Sequence, residues 1–101
     1  ADAAQAELES ESIYVQTDVG DEASVESLFD RCQAKFGLPS ILVNSAGING
    51  DGIRIADMSL ERWRKVMDVN LTGPFLTCRR FSKNVPLLGG WRKIVNVTSI
   101  Y

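Results

Sequence analysis

The sequence has 101 residues, 45% hydrophobic and 24% charged, which is the size and composition of one small globular domain. Its net charge of −2, without a run of like charges, argues against nucleic acid or an acidic membrane surface as a partner, because both attract a basic patch. No apolar stretch approaches the ~20 residues of a membrane helix, and no signal peptide is visible. The absence of histidine excludes a Ser-His-Asp triad and histidine metal sites within this chain.

The first predicted element is a strand over Ser12–Asp18. Asp21 can cap the helix that follows, because a short side-chain acceptor satisfies free backbone amides. That helix should stop at Gly37, where a left-handed residue costs glycine nothing. A short apolar strand over Ile41–Asn44 is typical of a strand buried on both faces. The apolar face of the helix is predicted to consist of Val25, Leu28, Phe29, Cys32 and Phe36.

A loop with three glycines is predicted over Gly47–Met58, and loops of this length without structure of their own are often functional. A hairpin turn at Asn49-Gly50 is an alternative, although the flanking residues lack alternation. Ser59 can cap the next helix, which is predicted over Leu60–Asn84. Trp63, Val66 and Met67 should mark its buried face in the first half, and Leu71, Phe75, Cys78 and Phe81 in the second half.

Pro74 lies inside this predicted helix and has no N–H group, so the carbonyl of Asn70 four residues earlier loses its partner. We predict a local kink with a freed carbonyl that is available to water or to another donor. Asn70 also continues the buried stripe that begins at Trp63, and an unpaired buried amide costs ~1–3 kcal/mol. Either this carbonyl serves a function, or Asn70 only repairs the kink.

A third strand over Lys93–Ser99 completes a strand–helix–strand–helix–strand pattern, which predicts an α/β fold with a parallel sheet. The three strands end in the small polar residues Asp18, Asn44 and Ser99. Ligands of open parallel sheets bind beyond the carboxyl ends of the strands. We therefore expect these three residues to lie along one rim of a common sheet and to face one bound molecule.

The two cysteines, Cys32 and Cys78, fall on predicted apolar helix faces and are interpreted as reduced core thiols, which favours a cytoplasmic location. The sequence begins with Ala rather than Met, and it ends two residues after a strand that should open into a functional loop. We expect the chain to be cut at both ends.

Four segments resemble motifs of the short-chain dehydrogenase/reductase family. Asn44-Ser45-Ala46-Gly47 is similar to its Asn-Asn-Ala-Gly motif, with Ser45 in place of the commoner Asn, and Asp18-Val19 is similar to its adenine-contacting pair. Residues 68–73 and 94–99 resemble its catalytic-asparagine helix and the strand that delivers its catalytic serine. The resemblance covers essentially the whole chain. It implies a partial Rossmann-like, doubly wound parallel sheet, with residues 1–101 in the middle of one dinucleotide-binding domain.

The resemblance also implies contacts with an NAD or NADP cofactor. Asp18 would accept a hydrogen bond from the adenine amino group, with Val19 beside the ring. Asn44, Ala46 and Gly47 would line the adenosine side, where Ala and Gly let a backbone approach a ligand closely. The alternative for Asp18 is a turn or helix-capping aspartate, which is common at strand ends.

Two catalytic residues are implied in the same way. Ser99 would hydrogen-bond the substrate carbonyl or hydroxyl, and Asn70 would hold a water through its backbone carbonyl as part of a proton relay. Thr98 is the rival hydroxyl, and a strand-end serine that satisfies its own backbone is the alternative for Ser99. The family's glycine-rich turn would precede this chain and its Tyr-x-x-x-Lys motif would follow it, since Tyr101 is too close to Ser99 to be that tyrosine.

The expected function is that of a segment of an NAD(P)-dependent oxidoreductase, which interconverts a secondary alcohol and a ketone by hydride transfer. Its substrate would be a small alcohol or ketone, the parent enzyme would be a homo-oligomer, and the isolated chain would be inactive. The alternative is a non-catalytic nucleotide-binding or regulatory module.

The doubly wound sheet that the resemblance implies has the strand order 3-2-1-4-5-6, in which strand 3 does not touch strand 4. If the three strands correspond to strands 3, 4 and 5, the first has no neighbour in this chain. Either the chain is a piece of a longer enzyme, or its strands pair in a rearranged way.

Overall fold

A computed structural model describes residues 11–83 and 91–98, in which two parallel strands alternate with three α-helices. This is the α/β character that the sequence predicts. In chain order the elements are α1 (Glu22–Phe36), β1 (Ile41–Asn44), a 3-10 turn (Ile55–Asp57), α2 (Leu60–Met67), a π-helical turn (Asp68–Thr72), α3 (Gly73–Ser82) and β2 (Lys93–Asn96).

The two strands pair in parallel over four residues, with Ile41 opposite Lys93 and Asn44 opposite Asn96. The ladder continues past both strands, because the Val97 N–H donates to the Asn44 carbonyl at 2.8 Å. The predicted second strand is confirmed at both ends, whereas the predicted third strand is shorter and ends at Asn96 rather than Ser99. The two asparagines therefore lie side by side at the carboxyl edge of the sheet.

The expectation of three strands needs correction, because residues 12–18 form no strand. A strand exists only where a neighbour completes its hydrogen-bond ladder, and within the described ranges β1 and β2 pair only with each other. The segment runs beside α1 instead, where Ser12, Ile13 and Tyr14 share a shallow pocket with Lys35. This outcome agrees with the strand order, which gives the first strand no neighbour here.

Both predicted caps of α1 are confirmed. The Asp21 carboxylate accepts a hydrogen bond from the Ser24 N–H at 3.0 Å, and Gly37 ends the helix with φ 86°. Val25 and Phe29 are buried against α3, whose Leu76 and Phe81 complete the core, and Leu42 of β1 packs on this cluster.

The kink expected near Pro74 takes the form of the π-helical turn, which separates α2 from α3. In this turn the Gly73 N–H donates to the Asp68 carbonyl, five residues earlier. Pro74 then falls in the first turn of α3, where a missing N–H costs nothing. A wider turn therefore accommodates the proline without a broken helix.

The π-helical turn also changes which side chains of the next helix are buried. Its wider repeat rotates the side chains that follow, relative to an uninterrupted α-helix. Leu76 and Thr77 are buried, whereas Phe75, which the periodicity places on the buried face, is 56% exposed, and Leu71 in the turn itself is 61% exposed. Phe81, predicted on the same face, is buried as expected. Within the described ranges, none of the helices has the length and apolar character needed to cross a membrane.

Candidate functional site

A cleft of about 1140 Å³ opens at the carboxyl ends of the two strands. Its lining includes Asn44 at the end of β1, Ala46 and Gly47 from the loop that follows, and Asn70 from the π-helical turn. The sequence predicts these four residues as site residues. The described fold thus brings four of the seven predicted site residues, from two separate regions of the chain, to one cleft.

Asn44 ties the sheet to α3 at the floor of this cleft. Its Nδ2 donates to the Asn96 Oδ1 at 2.9 Å and contacts the Cys78 Sγ at 3.5 Å, while its Oδ1 accepts a hydrogen bond from the Thr77 hydroxyl at 2.6 Å. Thr77 is only 3% exposed. Because both ends of the amide are engaged, the side chain of Asn44 is held in one orientation.

Asn70 holds the opposite wall of the cleft. Its Oδ1 accepts from the Ile48 N–H at 2.8 Å, and its Nδ2 donates to the Ile48 carbonyl at 2.6 Å. The side-chain amide therefore binds the backbone of the loop after β1 and is not used to repair the helix. Gly47 lies against the same amide, because a Cβ at Gly47 would lie 3.4 Å from Asn70 Oδ1.

Asp18 and Val19 lie outside this cleft. Asp18 Oδ1 accepts a hydrogen bond from the Gly20 N–H at 3.0 Å, as expected for the turn aspartate that the sequence offers as an alternative. Asp18 lines a separate depression of about 450 Å³ together with Arg64 and Lys65. The expectation that Asp18 and Asn44 share one rim of a sheet is wrong, because Asp18 is not on a strand.

The turn at Asp18 nevertheless packs on the same π-helical segment that holds the cleft. A Cβ at Gly73 would lie 2.9 Å from Val19 Cγ2, and a Cβ at Gly20 would lie 3.1 Å from the Asp68 carbonyl oxygen. A side chain at Gly73 would force Val19 to move, and one at Gly20 would be crowded by the Asp68 backbone. Ser99 lies outside the described residues, and its rival Thr98 lines the cleft.

Three residues of the site were not predicted from the sequence. Asn96 occupies the same position in β2 as Asn44 in β1, and this symmetry of the two strand ends is a signal that could have found it. Thr77 lies seven residues after Asn70, a helical spacing that is a weaker signal. Arg62, which binds the loop after β1, has no signal in the spacing of the sequence.

Comparisons with known proteins agree with these motifs. All residues, 1–101, match the family model described as enoyl-(acyl carrier protein) reductase. The chain is 44% identical over 95 residues to the short chain dehydrogenase tazN of Aspergillus terreus, a match that covers 89% of this chain and 20% of that protein. It is 39% identical over 103 residues to the 3-oxoacyl-(acyl-carrier-protein) reductase of Synechocystis, covering 99% of this chain and 41% of that protein.

The backbone is similar to the crystal structure of ribose-5-phosphate isomerase from Brucella melitensis 16M, with a TM-score of 0.74 and 28% identity over 83% of this chain and 32% of that chain. The chain spans less than half the length of each of these three proteins. Because the family model covers every residue and the relatives are named as dehydrogenase and reductase, this chain belongs to the short-chain dehydrogenase/reductase family.

Proposed function

We propose that this chain is a segment of an NAD(P)-dependent oxidoreductase that interconverts a secondary alcohol and a ketone. The observation that carries the proposal is the cleft at the carboxyl ends of β1 and β2, where Asn44, Ala46, Gly47 and Asn70 meet. Open α/β sheets bind their ligands at this position. The family membership supports the class of reaction.

The residues in the cleft fit the adenosine part of a dinucleotide. Ala46 and Gly47 are exposed at its surface and carry no side chain beyond Cβ, so a flat ligand can lie against their backbone. Asn70 fixes the loop next to them through both atoms of its amide. When bound, the nicotinamide of such a cofactor supplies or accepts the hydride.

Asn70 is proposed to act through its backbone. Both polar atoms of its side chain are bonded to Ile48, which leaves the main-chain carbonyl as the group for holding a water in a proton relay. Ser99 is proposed, on the motif alone, as the group that hydrogen-bonds the substrate oxygen. Asp18 and Val19 are proposed as the adenine contact on the motif alone, since Asp18 lines a depression separate from the cleft.

The isolated chain is proposed to lack turnover. It spans 20% and 41% of the two relatives' length. The sequence of this chain contains no Tyr-x-x-x-Lys motif, whose Tyr would donate the proton and whose Lys would lower the pKa of that Tyr. A small alcohol or ketone as substrate, a cytoplasmic location and a homo-oligomeric parent enzyme belong to the same proposal.

The test is an NMR titration of the isotopically labelled chain with NADH at millimolar concentration. We expect weak binding, with amide shift changes concentrated at Ala46, Gly47 and Ile48. The variant Ala46→Val should abolish them, because its larger side chain separates the ligand from the backbone. Ala56→Val is the matched control, since Ala56 is also exposed but does not line the cleft. Shift changes confined to other surfaces, or equal effects of the two variants, would contradict the proposal.

A further inference from the structure

The loop that forms one wall of the cleft is held by two side chains of the helical segment formed by α2 and the π-helical turn. Asn70 binds Ile48 at one end, as described above. At the other end, Arg62 Nη2 donates to the Asn49 carbonyl at 2.7 Å and lies 2.8 Å from the Asp51 carboxylate. We refer to these two Arg62 contacts as the arginine latch. Arg62 and Asp51 both line the cleft.

Arg62 is itself well anchored. It lies in the first turn of α2, where its N–H donates to the Ser59 hydroxyl at 3.0 Å. Its side chain is only 27% exposed, and its Nε is buried without a hydrogen-bond partner among the described residues. The anchoring comes from the hydrogen bond and the ion pair to the loop, which use the planar donor geometry of the guanidinium.

The segment that the latch holds is strained. Asp51 has a φ of 60°, in the left-handed region that residues other than glycine rarely adopt. Its N–H donates to Asn49 Oδ1 at 2.8 Å, which closes the turn on itself. Contacts around Asp51 stabilise this conformation, here the Asn49 side chain together with Arg62. The latch binds the residues on both sides of Gly50, so it is placed to impose this turn.

We infer that Arg62 is a positioning residue, whose latch on Asn49 and Asp51 fixes the Ile48–Asp51 wall of the cleft and thereby raises the affinity of the cleft for a nicotinamide dinucleotide. The affinity half of this inference rests on the proposed function. The positioning half rests on the contacts alone. Arg54 offers a matched comparison, because its ion pair with Asp57 lies in the same loop but outside the cleft. The Arg54 side chain is 83% exposed.

The test measures amide hydrogen exchange over residues 48–52 in the full chain. Arg62→Gln removes the charge and the forked geometry, so we expect exchange at Asp51 to become about tenfold faster. Arg62→Lys keeps the charge and should recover a large part of the protection. Arg54→Gln should leave this exchange unchanged. Equal acceleration by Arg62→Gln and Arg54→Gln, or none by Arg62→Gln, would overturn the inference.

Ionic strength supplies a readout that loss of packing would not produce. The Asp51 side chain is 65% exposed, so salt screens its attraction to Arg62. Added salt should therefore accelerate exchange in the unmodified chain, but not in Asp51→Asn. If added salt leaves the exchange rate unchanged in both the unmodified chain and Asp51→Asn, the latch is not electrostatic.

An NADH titration of the same variants tests the affinity half. Arg62→Gln should weaken binding by about fivefold or more, while Arg54→Gln should not. Unchanged affinity in Arg62→Gln, with the loop exchanging faster, would overturn the link between the loop and the ligand. If the unmodified chain shows no NADH binding at the cleft, the proposed function fails instead, and the exchange data still decide whether Arg62 positions the loop.

Discussion

The helix interface and the sheet use similar apolar side chains but bury them to very different extents. Between α1 and α3, Val25, Phe29 and Phe81 are 1%, 6% and 4% exposed. In β1, Ile41 and Val43 are 50% and 56% exposed, although they lie in a strand with a regular parallel partner. Burial here depends on whether a second layer covers the residue, not on the residue type.

The alternation along β1 explains the difference. Leu42 and Asn44 are half-buried and face α3, whereas Ile41 and Val43 point to the opposite face. Nothing in the described residues packs on that face to the same degree. The stability of the described fold should therefore come from the helix interface, with the sheet attached to it through Leu42 and Asn44.

The largest expected effect tests this contrast directly. Leu76→Ala, at 7% exposure in the helix interface, should lower the free energy of unfolding by ~2–5 kcal/mol. Ile41→Ala removes the same number of carbon atoms from the open face of the sheet and should cost less than ~1 kcal/mol. Urea unfolding followed by circular dichroism measures both. Equal losses would mean that the sheet is as important for stability as the helix interface.

A smaller effect is expected from the ion pairs between α1 and α3. Arg80 binds Glu26 at 2.8 Å with 12% of its side chain exposed, and it lies over the Phe29 ring. Its neighbour Arg79 binds Glu22 at 3.3 Å with 42% exposed. Arg80→Ala should cost ~1–3 kcal/mol because Glu26 loses a charged partner, whereas Arg79→Ala should cost ~0–1 kcal/mol. Thermal unfolding distinguishes them, and a larger loss for Arg79→Ala would contradict the burial argument.

The smallest effect concerns the bond that joins the two regions. Thr77→Val keeps the shape of a buried side chain but leaves the Asn44 Oδ1 without its donor, which should cost ~1 kcal/mol. A double-mutant cycle with Asn44→Ala should give a coupling of ~0.5–3 kcal/mol by urea unfolding, because the two side chains are in direct contact. Strictly additive losses would show that the sheet and the helix layer are held together by packing alone.

Local signals in the sequence predicted much of this fold. Asp21, Gly37 and Ser59 begin or end helices as their side chains or backbone freedom dictate, and β1 has its predicted bounds. The strand over Ser12–Asp18 could not be judged locally, because a strand depends on neighbours elsewhere in the chain. The buried face of α3 was predicted only in part: Phe81 is buried as expected, whereas Phe75 is exposed. The π-helical turn changes the phase of the periodicity that the prediction assumes.

The candidate site was predictable where motifs carry it. The residues that meet in the cleft are Asn44, Ala46, Gly47 and Asn70. The hydrogen bonds that their side chains make could not be predicted from the sequence. Asn70 was predicted to act through its backbone carbonyl, whereas its side-chain amide hydrogen-bonds the backbone of Ile48, 22 residues earlier. Such a contact depends on the tertiary fold and has no local signature.

The π-helical turn has a consequence for anyone who recombines this domain with another. Asp68 in this turn lies against Gly20, and Gly73 directly after it lies against Val19, while Asn70 contacts the loop at Gly47 and Ile48 on the other flank. A chimera that exchanges one of these three segments by itself would mismatch the other two. They should be transplanted as a single block.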